Sequence, residues 1–415
     1  MSIRARVGAA WLAFKTAGWT MTLGNMEILR DVFARPSRSG KVVNEETAIQ
    51  VTTVLAVVLR IAFDFAQVPW KVFAQRPGDK GRDEARDHPL WRLLHRKPNE
   101  WQTSFAFRVT MMLHILLARR FVAFVNRVDG AIVEIIPIEP RRITVERVVG
   151  SYDLRFVMTG DDGQRREIPL EMIWHIPAPS WNGWEGLDFV RLARETIGLA
   201  MAAEDNQADQ QKRGGRIPGV LALEGNINKE QYSDLSEWVS NQAQKDIAET
   251  GVMLIDKAGK FYPASMTAVE SQTLETRKYQ ATEICRHFGL FPIMIGISEG
   301  TQSYGTVEQM LIAHEIHTLD PWWVCVEQSA ETSLLTEDEQ KTISISFIRA
   351  GLRRASMKDM FDAFAIALGR GATAEGQAWM TANEVREFLE MNPIEGGDKL
   401  SAPLKLPDLT GGARQ

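Results

Sequence analysis

The sequence predicts an α+β protein with an antiparallel sheet between residues 40 and 178 and helices over most of the rest. Three observations carry that expectation. First, two-residue alternation runs through RFVAFVNRV, IVEIIPI, RRITVERV, DLRFVMTG and REIPL, punctuated by Asp129-Gly130 and Asp162-Gly163, dipeptides that suit hairpin turns. Second, the stretches from Leu187 to Arg213 and from Glu270 to Trp323 space their apolar residues as helices do. Third, the apolar fraction of 45% and charged fraction of 24% match an ordinary folded chain, and 415 residues exceed one ordinary core, so two or more structural regions are expected.

Residues 1–40 read as a flexible basic arm, with Arg4, Arg6, Lys15, Arg30, Arg35 and Arg38 set against Glu27 and Asp31. Asn44 then caps a single helix through NEETAIQVTTVLAVVLRIAFDFAQ, and Val68-Pro69 leads into an extended WKVFAQ. A charged loop from Asp79 to Asp87 precedes a short helix in HPLWRLLHRKPNE, stopped by Pro98, and a longer one in WQTSFAFRVTMMLHILLARR. The strands follow, and IWHIPAPSWNGWEG reads as a packed loop joining the sheet to the helix from Leu187. That helix carries an apolar stripe of Val190, Ala193, Ile197 and Met201, but EDNQADQQKR in its second half is polar all round. No core within one subunit can seat such a face, which leaves a solvated extension or lateral packing against copies of itself. Next, IPGVLALEG, a helix capped by Asn228, and GVMLIDKAGKFYPAS form a strand-helix-strand-hairpin module too small to be stable without neighbours.

In the next helix Leu274, Ala281, Ile284, Cys285 and Phe288 share a face, with Gly289 as a left-handed C-cap. A loop with Gly296, Gly300 and Gly305 should be mobile. A second helix runs from Thr306 to Leu319, and Pro321 interrupts it. KTISISF alternates as a strand, LRRASMKDMFDAFAIAL is helical, Thr381 to Glu384 is a capping box, and the Pro/Gly-rich tail after it is loose.

Composition and motifs exclude several function classes. Forty-eight basic residues interspersed among 53 acidic ones, for a net charge of -5, leave no concentrated basic face for gripping DNA. Cys285 and Cys325, the two cysteines, sit in apolar helical patterns without metal-ligand spacing, so both are expected to be buried and reduced, in a cytosolic compartment. No apolar run reaches the roughly 18 residues that span a bilayer, and no cleavage site follows the interrupted apolar patch at the start. There is no GxxxxGK[ST] phosphate loop. His314 and His317 are three apart, whereas the helical zinc signature needs four, so they read as surface or interface histidines. Cys285 and His287 are two apart and point in different directions on a helix, against a nucleophile pair. Trp174, Trp181 and Trp184 could form an aromatic platform for a sugar or a base, or simply pack a loop. Glu167, Glu171 and Glu185 read as solvated charges, without a glycosidase-like pair. No catalytic activity, cofactor or metal is expected.

In their order along residues 40 to 400, five segments resemble the portal (connector) proteins of tailed bacteriophages, in the short siphophage-type branch also found in prophages and gene transfer agents. They are NEETAIQVTTVLAVVLRIAFDFAQVPWKVF, HPLWRLLHRKPNEWQTSFAFR, GLDFVRLARETIGLA, QTLETRKYQATEICRHFGLFPIMIGI and MTANEVREFLEMNPIEGGD. The chain departs from the family pattern at Phe291-Pro292, where a proline pair is common, and at Lys212-Arg-Gly-Gly, where an aromatic-asparagine-glycine segment is common.

The resemblance implies a portal fold assembled as a ring, usually of twelve subunits, at one capsid vertex, the channel through which double-stranded DNA is packaged and ejected. It implies a flexible arm to residue 40, a wing over 41–186 joined by KTISISF, a first stem helix over 187–213, a clip over 214–266 and a second stem helix over 267–289. A tunnel loop over 290–305, a kinked helix and return strand over 306–352, a helical crown over 353–400 and a flexible tail would complete it. The clip, with Asn228, Lys229, Tyr232, Glu237 and Trp238, would dock the terminase large subunit and then the head-tail adaptor; the major capsid protein would surround the ring. Ser298, Glu299, Gly300, Gln302, Ser303 and Tyr304 would lie nearest the DNA, with Lys212 and Arg213 as sparse phosphate contacts. The implied location is the virion, after assembly from the host cytoplasm. Two alternatives from other classes are a carbohydrate-acting enzyme built on Trp174, Trp181 and Trp184, and a DNA-binding module using the basic arm.

Overall fold

Why the first helical segment breaks is visible in its own side chains. The computed structural model describes residues 36–76, 81–148, 150–151, 153–160, 162–212, 219–222, 228–229, 233, 260–263, 267–297, 304–349, 357–369, 378–388 and 391–400. Asn44 accepts from the Thr47 amide at 2.8 Å while Thr47 Oγ1 accepts from the Asn44 amide at 2.9 Å, a reciprocal cap that closes one turn, α1, Glu45–Ala48. The chain then extends at Val51 and restarts as α2, Thr52–Gln67, so the single helix expected from Asn44 is two. The β-branched run Ile49, Val51, Thr52, Thr53 disfavours continuous helix at the junction.

β1, Trp70–Gln75, follows as expected. The charged loop after it contains a strand, β2, Arg82–Glu84, paired antiparallel to β1. Arg76 grips Asp83 with Nε at 2.9 Å and Nη2 at 2.6 Å, and Glu84 accepts from Trp91 Nε1 at 2.7 Å, so the charges that suggested a loop hold an edge strand in place. Then come α3, Pro89–His95, and α4, Ser104–Ala118. The strands β3, Arg120–Val128, β4, Ala131–Pro137, β5, Ile143–Arg147, β6, Leu154–Thr159, and β7, Arg165–Ile168, fall where alternation places them. β8, Ile173–Pro177, occupies part of the stretch read as a loop.

Three small antiparallel sheets replace the one expected: β11-β1-β2, β4-β3-β8 and β5-β6-β7, with β11 being Ile343–Phe347. β1 pairs with β11 in the register Trp70 to Phe347 and Val72 to Ile345. An aromatic cluster joins these layers. The Trp70 and Phe347 rings stack at 4.9 Å, Phe65 meets Phe347 edge-on at 5.2 Å, and Trp174 meets Phe121 edge-on at 5.7 Å. Each such pair adds about 0.5–1.5 kcal/mol beyond area burial. The buried guanidinium of Arg108 donates to the carbonyls of Ser104, at 3.1 Å, and Val68, the C-cap of α2, and burial pulls its pKa down to about 10. A second core joins β3 and β8 to β5 and β6, from Val122, Ile138, Ile143, Val145, Phe156 and Ile173.

α5, Phe189–Leu192, and α6, Arg194–Lys212, divide what reads as one helix. β9, Gly219–Ala222, pairs antiparallel with β10, Lys260–Pro263, which joins the two ends of the small module. α7, Thr267–Phe288, is followed by α8, Tyr304–His314, a π-helical segment, Glu315–Leu319, and α9, Asp320–Leu334. Pro321 therefore does not end the helix. In a regular α-helix its ring would collide with the carbonyl four residues back; the wider π turn just before it absorbs that misfit.

Residues 36–40, expected in the flexible arm, are seated on α6. Ser37 is buried, the Arg38 amide donates to Glu195 at 2.8 Å, and a Cβ on Gly198 would lie 2.2 Å from Ser37 Oγ.

The chain divides into two compact units, residues 1–347 and 348–415. In the second, α10, Met357–Ala367, and α11, Ala382–Phe388, are described. The Thr381 amide donates to Glu384 at 2.7 Å and the Glu384 amide to Thr381 Oγ1 at 3.2 Å, the expected capping box. The tail is not loose through residue 400, because Asn383 donates to the Ile394 carbonyl at 3.0 Å and to Asp398 at 2.8 Å. Residues 401–415 lie outside the described residues.

Candidate functional site

The segment without catalytic motifs, residues 267–334, is tied to the core through its described helices. Ile284, Cys285 and Phe288 bury one face of α7. At its end Gly289 turns left-handed at φ +69°, letting the Leu290 amide reach the Cys285 carbonyl at 2.9 Å. A 3-10 turn, Pro292–Ile295, closes on Gly296 at φ +83°. Residues 298–303 lie outside the described residues, and the chain re-enters at α8.

The described residues before 298 and after 303 are both tied to the core. Thr318 Oγ1 in the π segment donates to the Gly289 carbonyl at 2.6 Å, which fastens the incoming helix to the outgoing one. His314 Nε2 donates to Asp64 Oδ2 at 3.1 Å, and Arg60 Nε donates to the same oxygen at 2.7 Å. His314 and Asp64 are both buried, whereas Arg60 is half exposed. Farther along, Trp323 Nε1 donates to the Phe65 carbonyl at 3.3 Å. α2 therefore grips the helix at two places, about three and about five turns beyond Tyr304.

α7 also runs beside α5 and α6. His287 Nε2 donates to the Phe189 carbonyl at 2.7 Å, and Arg277 donates to Gln207. Every residue of α6 from Glu204 to Asp209 is nonetheless exposed, as its polar sequence requires, with Asp205 paired to Lys41. Val190, Ala193 and Ile197 of the predicted stripe are buried and Met201 is partly so.

Reactive chemistry is not assembled here. Burial pushes the Cys285 thiol up to about 11, and the Cys325 thiol is raised for the same reason, although Cys325 is only half-buried rather than buried as expected. His287 engages a backbone carbonyl rather than Cys285, and His317 is exposed while His314 faces Asp64. Among the described residues no group of three His, Cys, Asp or Glu side chains could hold a metal, and no helix is long and apolar enough to cross a membrane.

The tryptophans do not form a platform. Trp174 is fully buried in β8, where its Nε1 donates to Ser329 at 3.0 Å; Trp181 is 94% exposed; Trp184 is half-buried. Glu167 and Glu171 are exposed, but Glu185 pairs with Arg119 at 2.6 Å and is no free surface charge. A shallow groove beside β8, lined by His175, Pro321, Val324, Cys325, Gln328, Ser329, Thr332 and Ser333, holds no carboxylate.

Of the residues singled out in the sequence, Ser298, Glu299, Gly300, Gln302 and Ser303 lie outside the described residues, and Tyr304 is the first residue of α8. Lys212 closes α6 and Arg213 lies outside. Asn228 and Lys229 are exposed; Tyr232, Glu237 and Trp238 lie outside. The Asp64 anchor was missed. Its signal was a carboxylate four residues after Arg60 within the otherwise apolar half-turns of α2.

Comparison with known proteins agrees with this architecture. The family model described as phage portal protein matches residues 52–390. The portal protein of Enterobacteria phage HK97 is 25% identical over 358 residues, 86% of this chain and 82% of that protein. The probable portal protein of Streptomyces phage phiC31 is 26% identical over 387 residues, 89% of this chain and 81% of that protein. Among solved structures, a chain in the neck of a native gene transfer agent particle, computed with C12 symmetry, superposes with a TM-score of 0.53 at 19% identity, covering 82% of this chain and 90% of that one.

Proposed function

The chain belongs to the phage portal protein family, and on that premise we propose that it assembles into a closed ring, of twelve copies, whose central channel conducts double-stranded DNA into and out of a capsid. The observation that carries the ring is the second half of α6, exposed on every side from Glu204 to Asp209 in a single chain. A helix with no apolar face gains stability only from partners outside its own subunit or from solvent. The C12 symmetry of the gene transfer agent neck supports the copy number.

In this reading residues 41–186 with β11 form the wing, α5 with α6 and α7 the two stem helices, residues 214–266 the clip, and residues 353–400 the crown. The loop over 290–305 faces the channel, with Ser298, Glu299, Gly300, Gln302, Ser303 and Tyr304 nearest the DNA and Lys212 and Arg213 as sparse phosphate contacts. A conduit must not grip, because each phosphate neutralised by a fixed cation holds the DNA back. A net charge of -5 and a loop without lysine or arginine between Ser298 and Tyr304 suit sliding. The exposed Asn228 and Lys229 suit a clip that meets the terminase large subunit and later a head-tail adaptor, with the major capsid protein around the ring. The ring resides in the virion, after assembly in the host cytoplasm, and itself performs no catalysis.

Negative-stain microscopy of the purified protein should show rings with a central channel; a monomer at micromolar concentration would refute the assembly. Deleting Ser298 to Tyr304 should leave rings intact and reduce the yield of DNA-filled particles. Normal filling by that variant would sink the loop assignment.

A further inference from the structure

Where the chain enters the described residues it is already held. Ser37 is buried over Gly198, whose missing side chain makes the room, and its Oγ meets Ser39 Oγ at 2.8 Å. The Arg38 amide donates to Glu195 at 2.8 Å, the Gly40 amide donates to the Ser37 carbonyl at 2.8 Å, and Lys41 engages Asp205. Residues 36–41 are therefore a strap across α6. Beside it lie two solvent-facing leucines, Leu192 at 60% exposure and Leu199 at 49%. Leu192, Glu195, Leu199 and Ala202 follow one another at three- and four-residue spacing, so they line one face of the helix, and the strap reaches that face at Glu195. Val190, Ala193 and Ile197, which are buried, belong to a different face.

Residues 1–35 lie outside the described residues, and their sequence ends in the pattern that such a face requires. In NMEILRDVFARP, Ile28, Leu29, Val32 and Phe33 recur at three- and four-residue spacing on one side of a helix, with Glu27, Arg30 and Asp31 on the other. Asn25 is a favoured N-cap, and Pro36 turns the chain out of helix at Arg35. Reach then selects the partner. Phe33 precedes the buried Ser37 by four residues, at most about 14 Å of extended chain, and Ser37 sits on Gly198, next to Leu199. We propose that residues 26–34 form a helix that docks Ile28, Leu29, Val32 and Phe33 on Leu192 and Leu199 of the same chain, making the strap the end of a longer clasp on α5 and α6. The arm, expected to be flexible to residue 40, is then free only to about residue 25. The clasp needs one chain alone and does not depend on the ring.

Hydrogen exchange of the full chain, read by mass spectrometry, tests it. Amides of residues 28–34 should exchange at least about tenfold more slowly than the free-chain rate. Leu192→Glu with Leu199→Glu should abolish that protection from the docking side, and Leu29→Glu with Phe33→Glu should abolish it from the arm side, where no change to the core can intervene. Unchanged exchange in α2 and α4 confirms that each variant is folded. Benzoylphenylalanine in place of Phe33 should, on irradiation, join to residues 189–203 of its own chain. Free-chain exchange of residues 28–34 in the wild type, or protection that survives Leu192→Glu with Leu199→Glu, would overturn the proposal. So would a photoadduct of doubled mass, which would assign the leucines to the arm of a neighbouring copy.

Discussion

The buried carboxylate of Asp64 should be worth far more than its surface partner suggests, and Asp64→Ala measures it. Two donors share its Oδ2: Arg60 at 2.7 Å and His314 at 3.1 Å. The Arg60 side chain is 45% exposed, so losing the carboxylate returns it to water at a cost of at most about 1 kcal/mol. The His314 side chain is 5% exposed and its Nδ1 has no partner in the structure. Without Asp64 neither ring nitrogen is satisfied, and a stranded buried polar group costs about 1–3 kcal/mol on top of the lost bond. We expect Asp64→Ala to destabilise the protein by about 2–4 kcal/mol and Arg60→Ala by under about 1 kcal/mol. Replacing the imidazole as well, in Asp64→Ala with His314→Leu, should cost less than the sum of the separate changes by about 1–2 kcal/mol. Urea unfolding followed by tryptophan fluorescence reads these values; with a slope of about 3 kcal/mol per M, Asp64→Ala should move the midpoint by about 1 M. Equal shifts for Arg60→Ala and Asp64→Ala, or additivity in the double change, would refute the argument that the buried imidazole carries the cost.

Two further outcomes follow from geometry and charge, beside those already given for the loop deletion and the arm. Gly289→Ala places a Cβ in open space but at φ +69°, so only backbone strain opposes it, and stability should fall by about 1 kcal/mol, against near-neutrality for a glycine without that constraint. Burial lowers His114 and His175 to about 4, helped at His175 by Arg120, whereas both titrate near 6.5 when unfolded. Between those values the unfolded chain binds more protons, so stability should be full above pH 6.5 and fall as pH drops towards 4, by up to about 2.7 kcal/mol per pH unit for the pair. Urea midpoints that stay level from pH 7 to pH 5 would contradict this, and replacing both histidines by leucine should flatten the profile.

Local rules carried much of the architecture. Alternation placed β3 to β7, and the reciprocal side chains of Thr381 and Glu384 announced their cap. Missteps came where a distant partner overrode the local signal. Arg82–Glu84 reads as solvated, yet Lys71, Trp91 and Arg76 make a strand of it. Ile173–Pro177 carries too few alternating positions between prolines to announce a strand, but β3 supplies the ladder. Pro321 reads as a stop because proline rules are written for regular α-helix, and the π turn before it lies outside them. The all-polar half of α6 was legible because its peculiarity is compositional and needs no partner to be seen.

The pairing of β1 with β11 also sets a clock. Arg82 and Ser346 touch across 264 residues, and Trp323 reaches Phe65 across 258. On a ribosome adding roughly 5–20 residues per second, α2 and β1 wait about 13–53 s before the strand and tryptophan that cover them emerge. Until then the faces of Phe65, Trp70 and Val72 lie uncovered, a long-range closure of the kind that folds slowly and invites wrong pairing. The nascent chain thus has a defined interval in which a chaperone, or a neighbouring nascent copy, competes with its own C-terminal strand.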